Sequence, residues 1–160
     1  MNTSLLTIDG EVDSPATLSF EELAALDAEQ QVLDVSRIDP KRQGDAITLA
    51  GLLARVKPQD GVKYLTLHAS RDDFHASIPL DSVREKAILI YRLAGQPLPE
   101  SAGGPVRFYI PDFAACHTSE IDECANVKFV DRIEFSATPG KDNRPHDAAE
   151  HEELHEREAK

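Results

Sequence analysis

The most informative part of the sequence is residues 87–111, AILIYRLAGQPLPESAGGPVRFYIP. It begins with a continuous apolar run from Ala87 to Tyr91, which is typical of a strand covered on both faces. Pro97-Leu98-Pro99 follows and does not fit a central strand, because proline cannot donate a hydrogen bond to the ladder. Gly103-Gly104-Pro105 predicts a turn that leads into another strand, Val106 to Ile110. The segment therefore predicts two strands joined by a turn-rich connection.

Further strands are predicted on both sides of this segment. The predicted strands are Val32 to Ser36, Lys63 to His68, Phe74 to Ile78 and Val127 to Val130, the last extending toward Phe135. Arg71-Asp72-Asp73 predicts a turn between the second and third of these strands.

Two short helices are predicted between the strands. Ser19 and Glu22 have the spacing of a capping box, and apolar residues recur at helical spacing after them. Thr48 is the predicted N-cap of the other helix, which Pro58 stops. Two short helices among strands predict an α+β fold dominated by a mixed or antiparallel sheet.

The charge balance excludes two classes of partner. The chain has 17 Lys and Arg residues against 29 Asp and Glu residues, a net charge of −12. Nucleic acids and anionic membranes attract basic surfaces, so we expect neither as a partner. No apolar run approaches the ~20 residues that span a bilayer. The N-terminus has no basic segment of the kind that opens a signal peptide, so a cytoplasmic location is expected.

The composition divides the chain into a body, residues 1–138, and a tail, residues 139–160. After Pro139-Gly140 the sequence contains seven acidic residues, four basic residues and three histidines in residues 141–160. Such a segment buries too little apolar surface to offset its ordering entropy. We expect this acidic, histidine-containing tail to be disordered or a frayed helix.

Cys116, His117 and Cys124 form a local cluster of soft ligands suited to zinc or iron. A fourth ligand would have to come from elsewhere in the fold, and the candidates are His68, His75, Asp112 and Glu123. Two other interpretations remain open: a disulfide that closes a small loop, or two unconnected thiols.

Several basic residues of the body could face a common groove. Arg37, Lys41 and Arg42 lie in one polar loop, Arg107 lies in the predicted strand after Gly-Gly-Pro, and Lys128 lies in the last predicted strand. In an otherwise acidic protein, such a groove would hold a small anionic ligand.

Five segments occur in the same order as in a known protein family. The matching segments are residues 6–12 (LTIDGEV), 47–53 (ITLAGLL), 91–99 (YRLAGQPLP), 103–111 (GGPVRFYIP) and 127–134 (VKFVDRIE). Together they resemble the molybdopterin-binding oxidoreductase domain of the sulfite oxidase family over about residues 5–135. The resemblance implies an α+β, mainly-β domain with a mixed sheet or barrel-like arrangement and a few short helices, and it implies molybdopterin as the cofactor.

The resemblance also implies site residues. In active members a cysteine thiolate binds molybdenum, and the matching position falls near Leu33 to Ser36, where this chain has no cysteine. Asp34 and Ser36 occupy that neighbourhood. Arg107 and Lys128 match basic positions of the family near the cofactor pocket.

Three interpretations of function follow. The first is a degenerate molybdopterin-binding domain that is not a competent molybdenum oxidoreductase. The second is a molybdopterin-dependent oxidoreductase with a non-cysteine ligand. The third is a small metal or redox protein built on the Cys116–Cys124 loop. The sequence leaves the substrate, any protein partner and the oligomeric state open.

Overall fold

The computed structural model describes residues 4–40, 42–111 and 127–143. Short strands dominate these residues, as the α+β, mainly-β prediction requires. The strands are β1 (Ser4–Gly10), β2 (Ala16–Ser19), β3 (Gln31–Val32), β4 (Asp45–Thr48), β5 (Tyr64–Ala69), β6 (Phe74–Pro79), β7 (Ile88–Leu93), β8 (Gln96–Pro97), β9 (Arg107–Tyr109) and β10 (Arg132–Ser136). The helices are α1 (Phe20–Ala24), α2 (Leu49–Val56) and α3 (Leu80–Val83).

The first sheet joins the two ends of the described chain. Its strand order is β2-β1-β10-β5-β6. β10 pairs in parallel with β1 and antiparallel with β5, so it lies between an early strand and a central one. Alternate residues of β5, such as Leu65 and Leu67, are buried in the main core. The other face carries polar residues, including Thr66 and His68.

The second sheet is built around β7. Its strand order is β3-β4-β7-β8, and β9 also pairs with β7. The run Ala87 to Tyr91 is buried throughout, which confirms the prediction of a strand covered on both faces. Leu89 and Tyr91 pack in the main core, whereas Ile88 and Ile90 pack in a second, smaller cluster on the opposite face. In the described residues both sheets are open, and neither closes into a barrel.

Helices α1 and α2 begin where the sequence predicts, whereas α3 was not predicted. Ser19 and Glu22 form the complete capping box of α1. Thr48 caps α2 by accepting a hydrogen bond from the backbone of Gly51, and the leucines of α2 are buried in the main core. No helix among the described residues is long and apolar enough to cross a membrane.

Candidate functional site

The candidate site is centred on Arg107 in β9, which pairs with Ile90 of β7. The chain reaches β9 through Gly103, whose φ of 102° favours glycine. A Cβ atom at Gly103 would lie 3.2 Å from Cδ of Arg107 and 3.4 Å from Cγ of Lys128. Two cationic side chains therefore lie close to the position that a side chain of residue 103 would occupy.

Lys128 belongs to a turn and not to a strand, so the strand predicted over Val127 to Val130 is wrong. Phe129 has a φ of 61°, which breaks the extended backbone. Its N–H donates to the carbonyl of Gly103 at 2.8 Å. Val127 and Val130 bond to the backbone of the β9 segment instead of to a neighbouring strand of the first sheet. The regular strand starts at Arg132, and the exposed Lys128 is held beside Gly103.

A third cation, Arg42, reaches the same place from the polar loop after β3. Its guanidinium carbon lies 5.4 Å from the centroid of the Tyr109 ring, a cation–π distance. The hydroxyl of Tyr109 donates to a carboxylate oxygen of Asp39 at 2.7 Å, which ties the loop to β9. Burial raises the pKa of Tyr109, and the hydrogen bond to Asp39 raises it further. The phenol is therefore protonated at neutral pH and acts as the donor.

The two guanidinium groups form an electrostatically unfavourable pair. Burial lowers the pKa of Arg107, and the positive charge of Arg42 lowers it further. Both side chains carry a positive charge, because the arginine guanidinium is not deprotonated in proteins. In the described part of the chain, the Nε atoms of Arg42 and Arg107 are buried without a hydrogen-bond partner. Buried donors of this kind are costly unless an acceptor binds them, and an anion would satisfy both the charge and the hydrogen bonds.

Asp34 and Ser36 do not lie in a strand, so the prediction of a strand from Val32 to Ser36 is wrong. β3 ends at Val32, and Asp34 takes a φ of 62° at the start of a short 3-10 turn. The Asp34 carboxylate accepts hydrogen bonds from the backbone N–H and the hydroxyl of Ser36. It also lies 3.9 Å from Nε of Arg37, while the Asp34 backbone N–H donates to Asp45. Backbone hydrogen bonds connect this turn to the loop of Arg42, because the N–H of Asp39 donates to the carbonyl of Val35 and the N–H of Arg42 donates to the carbonyl of Asp39.

The proposed metal ligands Cys116, His117 and Cys124 lie outside the described residues, as does Lys41. Within the described ranges, no three His, Cys, Asp or Glu side chains converge to hold a metal ion. His68 and His75, considered as additional ligands, contact one another across two strands. The cysteine cluster therefore remains a prediction.

Sequence reasoning missed Asp39 and Tyr109 at this site. Nothing in their local patterns marks them, because their hydrogen bond joins residues that are 70 positions apart. It also missed the pairing of His68 with His75. The predicted turn at Arg71-Asp72-Asp73 was a usable signal for that pairing, since a hairpin around it places the two histidines opposite one another.

Comparisons with known proteins agree with this architecture. The family model described as the oxidoreductase molybdopterin binding domain matches residues 45–144, which is more than half of the chain. No curated protein matches. Among the solved structures, the chain is similar to the sulfane dehydrogenase SoxCD from Paracoccus pantotrophus, with a TM-score of 0.59 and 20% sequence identity.

The structural similarity covers 85% of this chain but only 39% of the SoxCD chain. At this identity it establishes the fold. The family match covers β4 to β10 and includes Arg107 and Lys128. The chain therefore belongs to the family of oxidoreductase molybdopterin-binding domains, as its resemblance to the sulfite oxidase family predicts.

Proposed function

We propose that this domain binds the anionic part of a molybdopterin ligand through Arg42, Arg107 and Lys128, and that it is not a competent molybdenum oxidoreductase. The observation that carries the proposal is the pair of buried guanidinium Nε atoms that have no partner among the described residues. Two adjacent cations in a protein of net charge −12 form a local positive site that would attract an anion.

The residues fit the phosphate of the pterin ligand. A phosphate accepts several charge-assisted hydrogen bonds, and arginine matches its geometry better than lysine does. Arg107 and Arg42 would donate to it, while the exposed Lys128 would add positive charge beside them. Tyr109 would keep Arg42 in place through its ring and through its hydrogen bond to Asp39.

The residues fit the metal less well. A molybdenum cofactor supplies two-electron oxygen-atom transfer when it is bound. The thiolate ligand implied by the resemblance is absent from Leu33 to Ser36. The Asp34 carboxylate there is a hard oxygen ligand and already accepts two hydrogen bonds from Ser36. We therefore propose that this domain binds the pterin ligand and does not catalyse molybdenum-dependent oxidation or reduction.

The proposal is tested by producing the chain together with the molybdopterin biosynthetic enzymes. Pterin and molybdenum are then measured per chain after gel filtration. We expect bound pterin in the wild type and a loss of about tenfold or more in Arg107→Gln and in Arg42→Gln. Hydrogen bonds to charged groups are worth about 1.5–3 kcal/mol, and each 1.4 kcal/mol is tenfold in affinity.

Arg55→Gln is the matched control, because it removes the same charge from an exposed position on α2. Equal pterin retention in all three variants would contradict the binding proposal. Near-stoichiometric molybdenum that is lost on changing Asp34 or Ser36 would contradict the second half. That result would establish the alternative, an oxidoreductase with a non-cysteine ligand.

A further inference from the structure

A second group of titratable residues lies on the polar face of the first sheet. His68 of β5 and His75 of β6 face one another directly in the strand register, and both are buried. Their Nδ1 atoms are 2.7 Å apart. Nε2 of His68 lies 3.1 Å from Oε1 of Glu134, and Nε2 of His75 lies 2.8 Å from Oδ1 of Asp73. The four side chains form one continuous chain of hydrogen bonds.

This row of four hydrogen-bonded side chains needs a defined number of protons. It has three links, and each link requires one hydrogen between its two heavy atoms. Two neutral imidazoles bring only two N–H groups, so with both carboxylates ionised one link would join two lone pairs. A third proton completes all three links. A fourth proton would set two N–H groups against one another between the Nδ1 atoms of His68 and His75.

The surroundings indicate which histidine carries the extra charge. Burial lowers the pKa of His68, and the charges of Arg132 and His75 lower it further, although the hydrogen bond to Glu134 opposes them. The hydrogen bond from His75 lowers the pKa of Asp73, and the charge of Lys141 adds to this. His68 is therefore the neutral member that donates to Glu134. With His68 neutral, the other two links are complete only when both nitrogens of His75 carry hydrogen, one directed to Asp73 and one to His68.

The same residues hold the segment 139–143, which we call the strap. Asn143 donates its backbone N–H to the carbonyl of His75, and its side-chain oxygen accepts from the N–H of His75. Its side-chain amide donates to the carbonyl of Asp73, and Lys141 forms an ion pair with the Asp73 carboxylate. The strap therefore bonds to the backbone of His75 and to both the backbone carbonyl and the side-chain carboxylate of Asp73.

The rest of the strap covers the polar face beside the histidines. Gly140 donates its N–H to the hydroxyl of Ser77, and Asp142 accepts from the N–H of Ser77. A Cβ atom at Gly140 would lie 2.3 Å from Oγ1 of Thr66, so the strap backbone lies directly on that residue. The strap closes the free edge of β6, which is the last strand of the first sheet.

We propose that His68, His75, Asp73 and Glu134 form a binding site for one shared proton, and that occupancy of this site controls whether the strap is docked on β6. The ligand is a proton and not a metal ion, because the four groups form a line and no three of them converge on one point in the described ranges. This inference does not depend on the proposed cofactor binding.

The charged groups that face the site come from several elements. They are Glu134 and Arg132 of β10, Asp73 of the β5–β6 turn, and Lys141 and Asp142 of the strap. In the folded protein, three complete hydrogen bonds hold the third proton. The unfolded protein lacks these hydrogen bonds. Loss of this proton leaves one of the three links without a hydrogen, so the stability it gives is lost as the pH rises through the value at which the folded site releases it.

The fourth proton acts in the opposite sense. Because the pKa of His68 is lowered in the folded protein, its contribution is present above the ordinary value of about 6.5 and declines as the pH falls below it. Docking of the strap is thus strongest in a window between the two protonation steps.

The first test is a pH titration of the full chain, with its histidines labelled with ¹⁵N, by NMR. We expect the two rings to titrate as a coupled pair, with the step that charges His68 below the range of an isolated imidazole. A scalar coupling between the two Nδ1 atoms is expected within the window, because one hydrogen bond joins them. Independent titration of the two rings near the ordinary value would overturn the proposal.

The second test follows the strap through hydrogen exchange of the Gly140 and Asn143 amides. We expect protection, corrected for intrinsic exchange, to fall when the third proton is lost. His75→Asn should abolish this pH response, and Asp73→Asn replaces it should the first variant not fold. A pH response unchanged in the folded variant would overturn the coupling.

Gly140→Val is the matched variant that leaves every titratable group in place. The clash with Thr66 should remove the protection of the strap at all pH values, while the two imidazoles still titrate as a pair. Protection equal to that of the wild type would contradict the contact on which the docking argument rests.

Discussion

At the scale of single residues, two glycines offer a direct test of the first sheet. Gly10 at the end of β1 has a φ of 92°, and a Cβ atom there would lie 2.2 Å from the carbonyl oxygen of Phe135. Gly10→Ala should therefore lower the free energy of unfolding by about 1–3 kcal/mol, the usual cost of forcing a side chain into such a conformation. Denaturant unfolding followed by circular dichroism measures the change.

Gly61→Ala is the control for this prediction, because nothing lies within 4 Å of a Cβ atom at Gly61. Its expected effect is a small gain, about 0.4–1 kcal/mol, from reduced freedom of the unfolded chain. Equal destabilisation by both substitutions would show that the close approach of β1 to Phe135 is not the cause.

Residue-level features were predictable where the signal is local. Arg107, for example, is marked by the Gly-Gly-Pro turn before it. The contact between Arg42 and Tyr109 was not predictable, because it depends on where the loop after β3 folds back onto β9. Sequence reasoning therefore found the cations of the candidate site but not the side chains that position them.

At the scale of elements, α2 depends on its N-cap. The hydroxyl oxygen of Thr48 accepts from the N–H of Gly51 at 3.0 Å, and the hydroxyl donates to the side chain of Gln30 at 2.6 Å. Thr48→Ala should lower the free energy of unfolding by about 1 kcal/mol, because the first turn of the helix loses its side-chain acceptor. Thr48→Ser, which keeps the hydroxyl, should retain most of the stability in the same assay. Loss of equal size in both variants would contradict a role for the hydroxyl.

Elements were predicted well where pattern and tertiary structure agree, and poorly where they conflict. The caps of α1 and α2 and the buried run of β7 follow from residues adjacent in sequence. Val127 to Val130 has strand-forming residues but lies against β9, where its backbone bonds to Val106 and Phe108. Tertiary bonds of this kind override strand propensity, which depends strongly on context.

At the scale of the whole molecule, the first sheet requires both ends of the described chain. β10 lies between β1 and β5, so the fold cannot be completed before residue 136 has been added. The predicted body, residues 1–138, contains every strand of this sheet. The strap continues beyond that boundary and bonds to β6 through residues 140–143. Whether the folding unit ends at residue 138 or at residue 143 can therefore be decided by measuring the free energy of unfolding.

Three truncated chains would locate the C-terminal boundary of the folding unit. A chain ending at residue 143 should match the full-length protein in its free energy of unfolding, since it keeps the strap. A chain ending at residue 138 should fold but lose about 1–3 kcal/mol, because it lacks several strap hydrogen bonds that are worth about 0.5–1.5 kcal/mol each. A chain ending at residue 130 should not fold cooperatively, because it lacks β10 and leaves β1 and β5 without their shared partner. Equal stability of the chains ending at 138 and 143 would show that the strap adds nothing to the fold, and that its docking on β6 is energetically neutral.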